Sequence, residues 1–258
     1  MTDLRTVLWR AGAGLIAVFM LSPLVLLVLF AFSDRDLLSF PITGLTLDWF
    51  DKVLNNDKFW AAFQNSLIVT GTVGVVTTVV GTMGAIGLTR LTPRLAGVAI
   101  SVLSIPVMLP PLVLAVALSN WYATVGVRLG LGPVIAGHLV FTQPFVILIV
   151  HARLAGFDNA IVRSARDLGA SPFRAFLTVT LPIVRPTIVG AALVAMALSL
   201  DDFILTFFTI GGGSTLPVYL WGLMRKGVNP QINVASLILI TITIGASLIA
   251  MRATRYRG

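Results

Sequence analysis

Cysteine and glutamate are both missing from this chain of 258 residues. Without cysteine there is no disulfide framework, no thiolate metal site and no thiol nucleophile. Charge is scarce as well, at 11% of residues, against about 25% in an ordinary soluble domain. Lysine occurs only as Lys52, Lys58 and Lys226, none of them in a GxxxxGK[ST] pattern. A P-loop needs that lysine beside its glycines, so this chain cannot hydrolyse ATP by that route and is not expected to be an enzyme.

What is present is hydrophobic: 57% of the residues, with a mean hydropathy of +0.98. The apolar residues gather in runs of about 20, the length that crosses about 30 Å of hydrocarbon. The chain reads as an all-α polytopic membrane protein with six transmembrane helices. The spans are approximately Ala11–Phe32, Gln64–Leu88, Leu95–Asn120, Pro133–Val150, Pro186–Phe207 and Asn233–Met251. The first reads as an uncleaved helix, because its apolar core is long and Ser33-Asp34-Arg35-Asp36 follows without a small-x-small cleavage site.

An even number of spans puts both termini on one side. Arg5, Arg10, Arg90, Arg94, Arg153, Arg163, Arg166, Arg174, Arg185, Arg252, Arg255 and Arg257 share that face. The opposite face carries Arg35, Lys52, Lys58, Arg128, Arg225 and Lys226 together with Asp34, Asp36, Asp48, Asp51 and Asp57. The positive-inside rule then assigns the termini to the cytoplasm. The net charge of +8 reflects this topology, and no basic-and-aromatic groove suggests nucleic acid as a partner.

Within the spans and outer loops, several features are candidates for function. Trp49, Phe50, Phe59 and Trp60 in the first outer loop suggest anchoring at the headgroup level ahead of lid-like contact with an outside partner, with a short interfacial helix over Leu47–Leu54 capped by Thr46 or Asp48. Thr70, Gly74 and Thr78 recur every fourth residue and let another helix approach closely. Pro106, Pro110 and Pro111 bend the third span, lining a central path or packing as a kink. His138 and His151 stand alone, with no helical partner for a metal. Asp201 and Asp202 are the only carboxylates drawn inside a span. Both cannot face the same way, since neighbouring helical residues diverge by about 100°. One is expected to face the bundle interior and the other to cap or pair locally, and intramembrane carboxylates are functional by default.

The polar stretch from Asp158 to Pro186 organises the rest. Ala160, Ile161, Ala165 and Leu168 recur at helical spacing, with Asp158 as N-cap and Gly169 as the stop. A second short helix is expected over Pro172–Thr180, with proline at its first position. An amphipathic helix–turn–helix of this kind needs a groove to dock into.

This stretch carries a family resemblance. Ala165-Arg166-Asp167-Leu168-Gly169-Ala170-Ser171, followed by Phe176, Val179, Leu181-Pro182 and Pro186, resembles the EAA loop of binding-protein-dependent ABC importer permeases of type I. Asn65-Ser66-Leu67 and Ala85 through Arg90 are similar to that family's transmembrane core. Ser199-Leu200-Asp201-Asp202-Phe203, Leu216-Pro217 and Gly227 through Asn233 resemble its spermidine/putrescine permeases.

The resemblance implies a single transmembrane domain, its core at about 64–251 and its coupling loop at about 153–186. It implies a multi-pass protein of the bacterial inner membrane that moves a small cationic solute, a polyamine, by alternating access. The implied partners are a second homologous permease, a dimeric cassette ATPase that binds ATP and Mg, and an extracytoplasmic substrate-binding protein. No cofactor or metal is implied in this chain. The ATPase-coupling residues carried over are Arg163, Ser164, Ala165, Asp167, Leu168, Gly169, Ala170 and Ser171, and the substrate path is assigned to Asp201 and Asp202. The family's glutamate falls at Arg163 and its first alanine at Ser164, so the coupling contact is lost or reversed in charge, with Asp167 as a weak i,i+4 partner for Arg163. Other cargoes of the same machine are an opine, a modified amino acid, an aminophosphonate or ferric iron. A different class, a proton-coupled secondary transporter using Asp201 or Asp202, remains the alternative.

Overall fold

A computed structural model of the chain describes residues 4–36, 39–227 and 229–255. Val228 of the C-terminal motif and Arg257 of the basic face lie outside them. Among the described residues the regular elements are all helical, and the only bridge of strand type joins Ser33 to Leu45.

The chain divides into two compact units, one holding the residues up to Trp60 with Tyr219–Ala246, the other Ala61–Val218 with the chain from Ser247 onward. In the first unit, helix α1 (Leu4–Ala31) is apolar and exposed along most of its length, burying only its end at Ala31. Helix α2 (Asp48–Leu54) is the short outer-loop helix. The expected cap by Thr46 or Asp48 is corrected: Leu47 holds the N-cap position without a side-chain bond, and Thr46 Oγ1, one residue earlier, accepts the Asp48 N–H at 3.1 Å. The expectation of headgroup anchoring is corrected for two aromatics: Trp49 and Phe59 are buried. The Trp49 indole N–H donates to the Ser33 carbonyl at 2.9 Å, and Lys52 Nζ stands 4.0 Å over its ring. Phe59 packs edge-on to Tyr219, with centroids 6.1 Å apart.

The second unit is built around helix α3 (Asp57–Leu88), the pair α4 (Pro93–Met108) and α5 (Pro111–Thr124), and helix α6 (Leu131–Ala155). The bend expected in the third span is present and sharp: α4 and α5 meet at 94°. Pro110 and Pro111 have no N–H to continue the helical ladder, and a residue before proline is driven to extended backbone. Leu109 and Pro110 accordingly have ψ of 140° and 131°.

Beyond α6 come α7 (Asn159–Asp167) and α8 (Pro172–Ala175), then a π turn over Phe176–Thr180 that leads into α9 (Leu181–Asp201). The short second helix is therefore not separate, because it runs on without a gap to Asp201. The π turn has a local cause. Pro182 removes the N–H that an α-helix would direct at the Thr178 carbonyl, and the Leu181 N–H reaches back five residues to Phe176 instead. A second correction concerns the far end. The span drawn to Phe207 stops at Asp201, and α10 (Ile204–Thr209) starts afresh after Asp202 and Phe203. Helices α11 (Leu216–Arg225) and α12 (Pro230–Arg255) complete the chain.

Among the described residues four helical runs are long and apolar enough to cross a membrane, the α4–α5 pair makes a fifth, and α12 contributes a shorter apolar stretch, Pro230–Gly245. The core of the second unit lies where α6 packs along α9. Ala85, Val146, Val150, Val184, Ile188, Ala191 and Ala195 are buried there. Small residues set the spacing. A Cβ at Gly74 would lie 2.5 Å from Met196 Cγ, and one at Gly81 2.6 Å from Val146 Cγ1. Asn65 and Ser66, at the start of the α3 portion in this unit, hold the glycine-rich turn. Asn65 Nδ2 donates to the Ser214 carbonyl at 2.9 Å, and Ser66 Oγ accepts the Leu216 N–H at 2.8 Å.

Candidate functional site

Two places in the second unit combine exposure or burial with polar chemistry, and they stand at opposite ends of the helical run Pro172–Asp201. The first is the turn between α7 and α8. Asp158 Oδ1 accepts the Ala160 N–H at 2.8 Å and caps α7. At the other end Gly169 has φ +90°, a region that costs a residue with a Cβ about 1–2 kcal/mol. With that turn in place, the Gly169 N–H reaches the Arg166 carbonyl at 2.9 Å and the Ala170 N–H the Ala165 carbonyl at 3.1 Å. These two bonds are those of a Schellman ending, which satisfies carbonyls that α7 leaves open. Ser171 Oγ then accepts the Arg174 N–H at 3.3 Å and starts α8, with Pro172 at its first position.

The turn presents a mixed surface. Arg163, Ser164, Asp167, Leu168, Gly169 and Ser171 are exposed, and Ala165 and Ala170 are half-buried. Leu168 is 90% exposed and Phe173 71%, which is costly for side chains of that size if they face water alone. The expected pairing of Arg163 with Asp167 does not form, for among the described residues the two make no ion pair with each other. Both border an open cleft of about 650 Å³ together with Ser164, Gly169 and Ser171.

The second place is the break between α9 and α10. Asp202 leaves helical geometry, with φ −68° and ψ 120°, and turns its carboxylate to the start of α10. It accepts the Thr206 N–H at 2.9 Å and the Thr206 hydroxyl at 3.1 Å, with the Leu205 N–H at 3.4 Å. The fourth contact comes from α6: His138 Nε2 lies 3.2 Å from Asp202 Oδ2. His138 also has Thr206 Oγ1 at 2.9 Å from Nε2 and Ser199 Oγ at 2.8 Å from Nδ1. The ring is 1% exposed, and Phe141 stands edge-on at 5.5 Å. A ring nitrogen facing a carboxylate carries its proton, so Nε2 is the donor to this group of oxygens. In the neutral ring Nδ1 then accepts from Ser199.

Asp201 is the opposite case. It is exposed at the last turn of α9, and among the described residues it makes no hydrogen bond or ion pair. The C-terminal end of a helix is negative, so a carboxylate there is disfavoured by roughly 0.3–1 kcal/mol. No basic residue in the last turn of α9 offsets it. Nothing in the packing accounts for an acidic residue at this position.

The expectation that His138 stands alone is thus overturned. Its partners are 61 and 68 residues away in the chain, beyond any local reading. A signal did exist: Ser199, Asp202 and Thr206 are spaced by three and four residues, which makes one polar stripe in an apolar run. Among the described residues His151 has no comparable set of partners. Among the described residues no group of three or more His, Asp, Cys or Glu side chains gathers as a metal site would require.

Comparison with known proteins places this architecture. Residues 77–256 match the family described as binding-protein-dependent transport system inner membrane component. The spermidine/putrescine transport system permease protein PotC of Haemophilus influenzae is 29% identical, over 97% of this chain and 98% of its own length. The putrescine transport system permease protein PotI of Escherichia coli is 28% identical, over 92% of this chain and 86% of its own. Among solved structures, a bacterial ABC transporter involved in the import of the acidic polysaccharide alginate superposes with a TM-score of 0.74. It covers 98% of this chain and 96% of its own at 16% identity, a likeness of fold alone.

Proposed function

Because the chain belongs to the family of binding-protein-dependent transport system inner membrane components, we propose that it is a permease subunit importing a polyamine of the spermidine or putrescine kind across the bacterial inner membrane. The observation that carries the cationic cargo is Asp201, an uncompensated carboxylate at the end of a long apolar helix. A carboxylate in that position lowers the cost of bringing an ammonium group out of water. The alginate importer of the same fold has an acidic cargo, so fold alone does not carry this reading.

The chain spans the membrane six times, with the bent α4–α5 pair as one span and α12 as the last, both termini lying in the cytoplasm. It forms one transmembrane domain with its core at about 64–251, and the loop at about 153–186 faces the cytoplasm. There Leu168 and Phe173 enter a groove of a cassette ATPase, with Arg163, Ser164, Ala165, Asp167, Gly169, Ala170 and Ser171 forming the rest of the coupling face. ATP and Mg are bound by two such ATPase subunits, and a second homologous permease completes the path. A substrate-binding protein delivers the cargo from outside. Nucleotide-driven closure of the ATPase pair shifts the population between inward- and outward-facing states, and the docked carrier favours the outward one.

The test is co-purification from the native membrane followed by ATPase and uptake assays in proteoliposomes. Recovery of a second permease and a cassette ATPase, with activity rising on addition of polyamine-loaded carrier protein, is the expected result. Uptake by the chain alone that collapses with an uncoupler would overturn the reading in favour of a proton-coupled transporter. Stimulation only by a carrier loaded with another solute would replace the cargo and keep the machine.

A further inference from the structure

The break between α9 and α10 has no breaker in its sequence. Ser199 through Phe208 contains neither proline nor glycine, and every residue in it can continue a helix. The interruption is therefore held by side chains. Asp202 provides one half by capping the start of α10 with two backbone N–H contacts and the Thr206 hydroxyl. His138 provides the other half from α6, gripping Asp202, Thr206 and Ser199 at once and so holding both sides of the break. The residue before it makes this reach possible. A Cβ on Gly137 would stand 2.5 Å from Leu205 Cδ2, so any larger residue there would force the Leu205 side chain to shift. Leu205 is buried with Leu114 and Ala115 of α5, which anchors the new helix once it has started.

The consequence for the two carboxylates is asymmetric. Both oxygens of Asp202 are engaged, and those of Asp201 are free. We propose that His138 is a positioning residue for translocation: by committing Asp202 to the helix break, it leaves Asp201 as the single available carboxylate for the passing cation. This rests on the cationic-cargo reading given above. Without the imidazole, Asp202 keeps only its contacts to the start of α10, its charge loses the facing donor, and the polar tie from α6 to both sides of the break is gone.

The importer is tested whole, co-expressed with its ATPase, partner permease and carrier protein and reconstituted in lipid. The quantity read is polyamine taken up per ATP hydrolysed at saturating loaded carrier. His138→Leu is expected to lower that ratio on the order of tenfold, a typical effect of a misplaced functional group, while complex recovery and carrier-stimulated ATPase hold. His138→Gln, which keeps a donor, restores most of it. Asp201→Asn lowers the ratio as far on its own and falls little further when combined with His138→Leu. Asp202→Asn in the His138→Leu background recovers part of the loss, because an amide oxygen still caps α10 without an unpaired charge.

Several results overturn the proposal. One is a His138→Leu complex whose recovery, ATPase and uptake fall in proportion, the mark of a structural role only. Others are an unchanged ratio in that variant, or an unchanged ratio in Asp201→Asn. If His138→Leu does not assemble, Ser199→Ala and Thr206→Val each remove one hydroxyl from the ring: a lowered ratio supports the proposal and an unchanged one overturns it. Failure of the cargo reading shows separately, in the unsubstituted importer. If that complex moves a different cation and no polyamine, the same ratio measured with that cation still decides the role of His138.

Discussion

The helical run from Pro172 to Asp201 ends in two turns built on opposite principles. At the α7–α8 turn each cap comes from a residue within five positions: Asp158 on Ala160, Gly169 and Ala170 back onto α7, Ser171 on Arg174. At the α9–α10 break the decisive partner, His138, arrives from another helix. The first turn is exposed and can be addressed by another protein. The second is enclosed and can be altered only by moving α6, α9 and α10 together. The docking surface and the fixed point for passage proposed above would need those contrasting constructions.

The comparison breaks most sharply at the proposed docking face. Leu168→Asp combined with Phe173→Asp is expected to weaken capture of the cassette ATPase in a pull-down by about a thousandfold, since buried apolar anchors dominate such interfaces at about 2 kcal/mol each. Thermal stability of the purified permease should stay unchanged, because both side chains are exposed. Retained ATPase would remove the α7–α8 turn from the coupling face.

The enclosed end should answer differently. Gly137→Val forces two methyl groups against Leu205, and overpacking of this sort costs about 1–3 kcal/mol. A lower melting temperature in detergent is expected, with unchanged ATPase recovery per folded molecule. A Val variant as stable as the parent would mean that α10 does not lean on α6.

The smallest effect belongs to local capping. Asp158→Ala removes one side-chain acceptor and should destabilise α7 by about 1 kcal/mol. Hydrogen exchange at the amides of Ala160 and its neighbours would rise about fivefold while the amides of α9 stay protected. Exchange rising equally in both helices would show that the two ends are not independent.

These differences also decide what could be read from the sequence. The caps of α7, the stop at Gly169 and the proline start of α8 follow from residues adjacent in the chain, and each was legible. So were the apolar runs, because a membrane imposes its thickness on composition. The 94° turn at Pro110 was visible as prolines, although its size was not, since the angle depends on what α5 packs against. The buried place of Trp49 was not legible, because an aromatic near a membrane boundary can face lipid or protein. The pairing of His138 with Asp202 was hidden for a different reason. One histidine in an apolar run has no period, and only the fold says which of two adjacent aspartates it meets.

The continuity of Pro172–Asp201 has a mechanical consequence. Thirty helical residues make a rod of about 45 Å, with the π turn near its exposed end and Pro186 inside α9. Its middle bears on α6 through Val184, Ile188, Ala191 and Ala195, which act as a fulcrum. A lever of that length tilted by about 10° carries its two tips roughly 4 Å in opposite directions. If the rod tilts as one body, a push on Ser171 would displace Asp201 by a distance comparable to the diameter of an ammonium group.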